Sequence, residues 1–384
     1  MRARLHAWLS ERALPVGLLL FLSGFFIAHY DTFFRNAVYA TVLLPALLCA
    51  CLDPRAWMRT IARTPMAWWL ILFCVYLNVS PRWNATPTEH DPYLKYSAYI
   101  VLFFYAVCVV ARQPARLWTV LRMAGVLAAV SACYSFWYVG LDADSLRGGR
   151  FHAAAIEHPL LSGNVYGVFL VMWLAEQRQC DHWPRWAAAL CALPVFILVL
   201  LTQARSPLLG TGFALLLVAL SFPAVYRRWV MYACGAGALG LLVFWQPLLM
   251  RGLSQRPDIW ATVLDQALVH PWLGHGLGSE PVFVRRHSTL FDAHNVPLAV
   301  FFYGGAVGLL LWLGVLASAG RALWQQRHHA LGLLAAVMLA YGVTTTFFEA
   351  GYFISRPKEN WFYLWWPLAL ACAVAAQSIR STRG

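Results

Sequence analysis

Charge is scarce in this chain: Asp, Glu, Lys and Arg make up 12% of its 384 residues, against about 25% in a soluble domain. Acidic residues are the scarcer sign, 16 against 29 Lys and Arg. Hydrophobic residues reach 61%, where about 45–50% is usual in water, so a water-soluble enzyme is excluded. The nine cysteines include no Cys-x-x-Cys pair, and all but Cys180 lie inside apolar runs. They read as small core residues, not as a disulfide framework or a zinc site. Gly-x-Ser-x-Gly, Walker and His-Glu-x-x-His motifs are missing, which leaves hydrolase, ATPase and metalloprotease readings without a nucleus. No Asp, Glu, Lys or Arg falls in the middle of any span that hydropathy proposes. Pumps and ion-coupled transporters place such groups at membrane depth, so a transport path or a lipid-linked sugar flippase is disfavoured.

What the chain has in abundance is apolar and aromatic surface. Its 19 Trp, 16 Tyr and 23 Phe exclude a disordered or fibrous protein. Hydropathy windows of about 19 residues predict twelve spans, near 14-29, 36-52, 65-80, 95-111, 117-139, 159-175, 186-202, 206-222, 229-246, 296-317, 330-346 and 361-377. The fold class expected is an all-α polytopic membrane protein with about 12 transmembrane helices, residues 1-384 forming a single integral membrane domain. The first span follows Arg2, Arg4 and Arg12 but lacks a small-x-small cleavage site, so it reads as a retained helix.

Placing the N-terminus in the cytoplasm puts 17 of the 29 basic residues and 4 of the 16 acidic ones in inward loops, as the positive-inside rule requires. Both termini are then cytoplasmic. The net charge of +13 therefore reports membrane orientation; nucleic-acid binding, which needs a basic folded face, is not expected. The outward loops carry Arg150, Arg205, and a long segment, 247-295, with Arg251, Arg256, Arg285, Arg286 and His294. Connections of that length are commonly functional. Within it Ile259, Trp260, Val263, Leu264, Ala267 and Leu268 repeat with helical spacing behind Pro257 and Asp258, predicting an amphipathic helix. Two readings of that helix are open: a lid packed on the bundle, or a direct substrate contact.

Arginine suits phosphate because its planar fork makes charge-assisted bidentate bonds and stays protonated. Each outward arginine is thus either a ligand of a lipid-linked diphosphate or a contact to lipid headgroups. Arg205 stands out by interrupting the apolar stretch 186-222. At about 100° per residue, Gly305 and Gly308 fall on the same face as His294, where small residues would let another helix approach. His294 is then a catalytic or a structural histidine. Asp142-Ala143-Asp144 has the Asp-x-Asp spacing of metal-dependent sugar transferases; its alternative is a solvated loop.

His294-Asn295, nine residues, Gly305, two residues and Gly308 resemble the signature of bacterial O-antigen ligases, within a superfamily that also holds O-antigen polymerases. Arg256-Pro-Asp-Ile-Trp260 with His270-Pro271 through Gly274, Gly276 and Gly278 is similar to its helix-and-glycine segment, and Thr202-Gln-Ala-Arg205-Ser206 to its short arginine motif. Arg150 to Tyr166 and Arg356 to Trp361 match less specifically. The resemblance runs from about 145 to 310, weakly to 368, and before 140 rests on hydropathy.

The resemblance implies an inner-membrane glycosyltransferase with its site on the periplasmic face. It would move O-antigen from an undecaprenyl diphosphate donor to a sugar hydroxyl of lipid A-core, with inversion and without a metal or other cofactor. His294 would be the general base on the acceptor hydroxyl. Arg205 and Arg256, with Arg251 and Arg150, would bind the diphosphate, while Asn295, Gly305 and Gly308 would support the site. An O-antigen or capsule polymerase, using the same donor and another acceptor, is the alternative.

Overall fold

A computed structural model of the protein describes residues 1–27, 31–61, 64–84, 92–140, 150–176, 183–221, 231–232, 235, 256–285, 288–290, 292–349 and 351–381. Helices α1 (Arg2–Phe26), α2 (Thr32–Leu52), α4 (Tyr93–Ala111), α5 (Pro114–Tyr138), α6 (Pro159–Glu176) and α10 (Val296–Gln325) are long and apolar enough to cross a membrane; α3 (Pro65–Val79), with the short helix before it, makes a seventh if that bent pair is one span. Helices α7 (Arg185–Leu201), α8 (Arg205–Ser221), α11 (Ala330–Thr346) and α12 (Trp365–Ser381) are apolar and 17 residues each, the lower limit for a span. The expected segment 229-246 lies almost entirely outside the described residues. Helix α9 (Arg256–Ala267) and an antiparallel strand pair, β1 (Phe283–Arg285) and β2 (Ser288–Leu290), lie in the long connection before α10. The strand pair has no counterpart in the hydropathy reading.

Proline marks many of the boundaries. It stands in the first turn of α3, α5, α6 and α10, where its missing N–H is one of the unpaired donors in any case. Where proline occurs inside α1 and α2, at Pro15 and Pro45, a π-helical turn precedes it, at Leu9–Ala13 and Tyr39–Leu43. The wider turn carries the helix past a residue that cannot bond to the carbonyl four residues earlier. The two helices then touch closely: a Cβ on Gly17 would stand 2.0 Å from the Thr41 carbonyl oxygen.

Helices α4, α6 and α12 form the interior. Phe21, Phe103, Trp361, Phe362 and Trp366 interlock there, with ring centroids 4.8 to 6.4 Å apart. The outer helices present apolar stripes: Trp186, Leu190, Leu193 and Ile197 on α7, and Met123, Val130 and Trp137 on α5, are exposed at helical spacing. In a soluble bundle such faces would be polar. This is a multi-pass membrane protein, and its outer faces are apolar because lipid is their solvent.

Helix α10 packs on α3 and α12, α8 on α11, and α6 on α7 and α11. Arg116 reaches Glu11 at 3.2 Å and Arg112 reaches Thr60 at 2.9 Å at the end of the bundle where α4 meets α5. The site lies at the other end.

Candidate active site

This end of the bundle is assembled by loops that fold back onto helix termini. Phe151 N–H donates to the Leu201 carbonyl at 3.1 Å, and Arg150 Nε to the Thr202 carbonyl at 3.1 Å. Both carbonyls belong to the last turn of α7, where no helical donor remains for them. Gln203, with φ +50°, reverses the chain so that α8 begins at Arg205, which is half-buried in its first turn. Next to it Ser206 donates to Asn164 Oδ1 at 3.0 Å, and Tyr341 on α11 donates to the Asn164 carbonyl at 2.8 Å. The Arg150, Asn164 and Thr202–Ser206 motifs, dispersed in sequence, are thus one piece of structure. A Cβ on Gly210 would meet Thr345 and Tyr341, so the start of α8 and the end of α11 share a level.

Beyond the end of α11 stands Glu349, buried, and paired with Arg256 at the start of α9. Trp260 on α9 packs on Phe348 with centroids 5.9 Å apart. Burial pushes the Glu349 carboxyl up to about 7; the Arg256 charge opposes this, and the Asp292 charge adds to it. Arg150 is close enough to lower it slightly. His294 Nδ1 lies 3.9 Å from Glu349 Oε2 and 3.7 Å from Asp292 Oδ2, with its side chain about one-third exposed. Arg256, Asp292, His294 and Glu349 therefore form one cluster, with Arg150 near enough to act on Glu349 electrostatically. His158, at the mouth of α6, is pushed down by burial and then by Arg150.

Asn295 does not face outward. Its Oδ1 accepts from Leu298 N–H at 2.9 Å and caps α10, as Asn commonly does. His294 precedes the cap with φ +45°, so it is not on the helix, and the equal-rotation reading that aligned it with Gly305 fails at both ends. Gly305 itself breaks α10, with φ +59° and ψ −160°. The loop after α9 is stitched into the break: His275 and Gly276 N–H donate to the Phe302 and Tyr303 carbonyls at 2.8 and 2.9 Å, and Ala306 and Val307 N–H to the Pro271 and Trp272 carbonyls at 2.8 and 3.2 Å. Tyr76 on α3 adds bonds to the Gly304 and Leu273 carbonyls at 2.8 and 3.1 Å. A Cβ on Gly305 would lie 2.4 Å from the Trp272 carbonyl, and one on Gly274 2.5 Å from the Tyr303 carbonyl. The expected helix contact holds for Gly308, and Gly304 shares it: their Cβ atoms would meet the Tyr76 ring at 3.4 and 3.3 Å.

Helix α9 buries Ile259, Val263 and Ala267 while Leu264 and Leu268 stay exposed, so the six-residue stripe divides between the bundle and the outside. Arg251, Arg286, Asp142 and Asp144 lie outside the described residues; Arg285 ends β1; Arg356 is exposed. Among the described residues no group of three His, Cys, Asp or Glu is arranged to hold a metal. Sequence reasoning missed Glu349, Asp292 and Tyr76. For Glu349 a signal existed, since only two acidic residues, Glu349 and Glu359, follow His294.

Fold and site together define a multi-pass, all-α membrane protein in which arginines, carboxylates and His294 converge at a single end of the bundle. The sequence profile described as O-antigen ligase matches residues 187–313, the stretch from α7 through the break in α10. Over 378 residues the chain is 34% identical to the O-antigen ligase of Pseudomonas aeruginosa, spanning 96% of this chain and 92% of that protein. The chain belongs to the O-antigen ligase family and is a glycosyltransferase.

Proposed function

We propose that the protein transfers O-antigen from undecaprenyl diphosphate to a hydroxyl of lipid A-core at the periplasmic face of the inner membrane. The observation that carries the mechanism is the convergence of His294 with Arg256, Arg150 and two carboxylates at one end of the bundle. In this reading the acceptor oxygen attacks the anomeric carbon as its proton passes to His294 Nε2. The bond from that carbon to the diphosphate oxygen breaks on the opposite side, giving inversion. Negative charge grows on the departing undecaprenyl diphosphate, where preorganised cations are most effective.

Arg205 and Arg150 take the diphosphate, joined by Arg256 and, from the long loop, Arg251. Arg256 reaches it by exchange with Glu349. A buried carboxyl titrating near 7 is partly protonated at neutral pH and releases its arginine at little electrostatic cost. The arginines supply the charge neutralisation for which other transferases use Mg²⁺, and Asp142 and Asp144 are then loop residues.

Transfer in vitro, with separate donor and acceptor lipids, is the test. His294→Ala is expected to insert at parent levels and lose about 10²–10⁴-fold in rate, while transfer persists in chelator. Near-parent ligation by His294→Ala would remove the general base. Chelator-abolished transfer restored by Mg²⁺ would return Asp142 and Asp144 to the site. Extension of lipid-linked glycan without modification of lipid A-core would make the protein a polymerase.

A further inference from the structure

His294 holds a backbone conformation, φ +45°, that a side chain with a Cβ adopts only when its surroundings impose it. The imposing group is two residues away. Asp292 Oδ1 accepts the His294 N–H at 2.9 Å, the turn in which an aspartate substitutes for a backbone acceptor. Its second oxygen, Oδ2, faces the His294 ring at Nδ1, 3.7 Å away. Asn295, next in the chain, is committed to capping α10. Around the ring stand Asp292 from its own loop and Glu349 from beyond α11, the latter already joined to Arg256 of α9. The chain after α11 also confines the Asp292 carboxylate, for a Cβ on Gly351 would stand 1.6 Å from Oδ1.

We infer that Asp292 is the positioning residue for His294, setting its backbone turn through one carboxylate oxygen and its ring through the other. The inference rests on the general-base reading above. A carboxylate beside Nδ1 favours the tautomer protonated there, which leaves the Nε2 lone pair to accept a proton. When Nε2 takes the acceptor hydroxyl proton, the positive charge created on the ring lies beside Asp292.

The experiment compares Asp292→Asn and Asp292→Glu in the full-length protein with the same two variants in a His294→Ala background. Single-turnover transfer and acceptor KM are measured at matched membrane levels and thermal stability. Asparagine can still accept the His294 N–H but offers no charge to the ring. Asp292→Asn is therefore expected to lower kcat at least about 10-fold with KM little changed, Asp292→Glu to recover part of that loss, and neither to alter the residual rate of His294→Ala. Parent-like kcat in Asp292→Asn, with His294→Ala inactive, overturns the positioning role and leaves the general base standing. An equal fold-loss from Asp292→Asn with and without His294 also overturns it, because Asp292 would then act independently. Parent-like transfer by His294→Ala removes the base and this inference together. If Asp292→Asn does not insert, Gly351→Ala, which displaces the carboxylate and keeps its charge, enters the same cycle with the same expected loss.

Discussion

Glu349 is the residue whose environment most shapes the site. Its carboxyl is raised to about 7 from an ordinary value near 4.5, chiefly by burial. The folded protein therefore holds this proton more tightly than the unfolded chain. The resulting cost to stability is absent below about pH 4.5, grows between 4.5 and 7, and is complete above 7. Glu349→Gln should remove that dependence: from pH 5 to pH 8 the parent loses up to about 3 kcal/mol more than the variant, read as a steeper fall in Tm, and parallel pH–Tm curves would contradict the burial argument. At Arg205 and Arg256, lysine keeps the charge and loses the fork. Arg→Lys variants should retain more transfer than Arg→Ala while both stay below the parent; full activity in an alanine variant, at matched abundance, excludes that arginine. His294 and the arginines stand out in the sequence because ionisable residues are rare in this chain. Glu349 was not legible as Arg256's partner, since the two lie 93 positions apart and only packing joins them.

Among the elements, the break in α10 decides most. Hydropathy reads 296-317 as one span, and the segment is one helix except at Gly305, where four backbone bonds from the loop after α9 enter it. That junction fixes α9, and hence Arg256, against the helix whose cap follows His294. Gly305→Ala meets both a forbidden φ and the Trp272 carbonyl, so a loss of stability of several kcal/mol is expected. Gly308→Ala meets the edge of the Tyr76 ring at 3.4 Å and the Val300 carbonyl oxygen at 3.5 Å, ordinary contact distances, and should cost under about 1 kcal/mol. Thermal melts of the two purified variants check this contrast, and equal shifts would mean that Gly305 is an ordinary helix-packing glycine. Both glycines are visible in sequence at a spacing that suits helix packing. Their different work is not, because a periodicity argument presumes an unbroken helix and an anchor residue within it.

For the whole molecule, the arginines near 150, 205 and 256 and His294 share the end opposite Arg112 and Arg116, the arrangement that alternating loops require. We expect single cysteines near 150, 205, 256 and 294, in a background lacking the nine natural ones, to react with a membrane-impermeant thiol reagent in intact cells. Those near 60, 115, 228 and 325 should not react. Labelling of the second set, or silence across the first, would reverse the orientation. The membrane character and the long apolar helices were determined by the sequence itself, because lipid demands long apolar runs and backbone bonding within each segment. The same scarcity of charge makes His294 and the outlying arginines stand out in the sequence, but not Glu349 or Asp292. Tertiary structure alone decided their partnerships: Glu349 on Arg256, Asp292 on His294, Arg150 on the end of α7, and a loop laced into the break at Gly305. Each depends on distances between segments remote in the chain, and hydropathy and helical period carry no information about which remote segments meet.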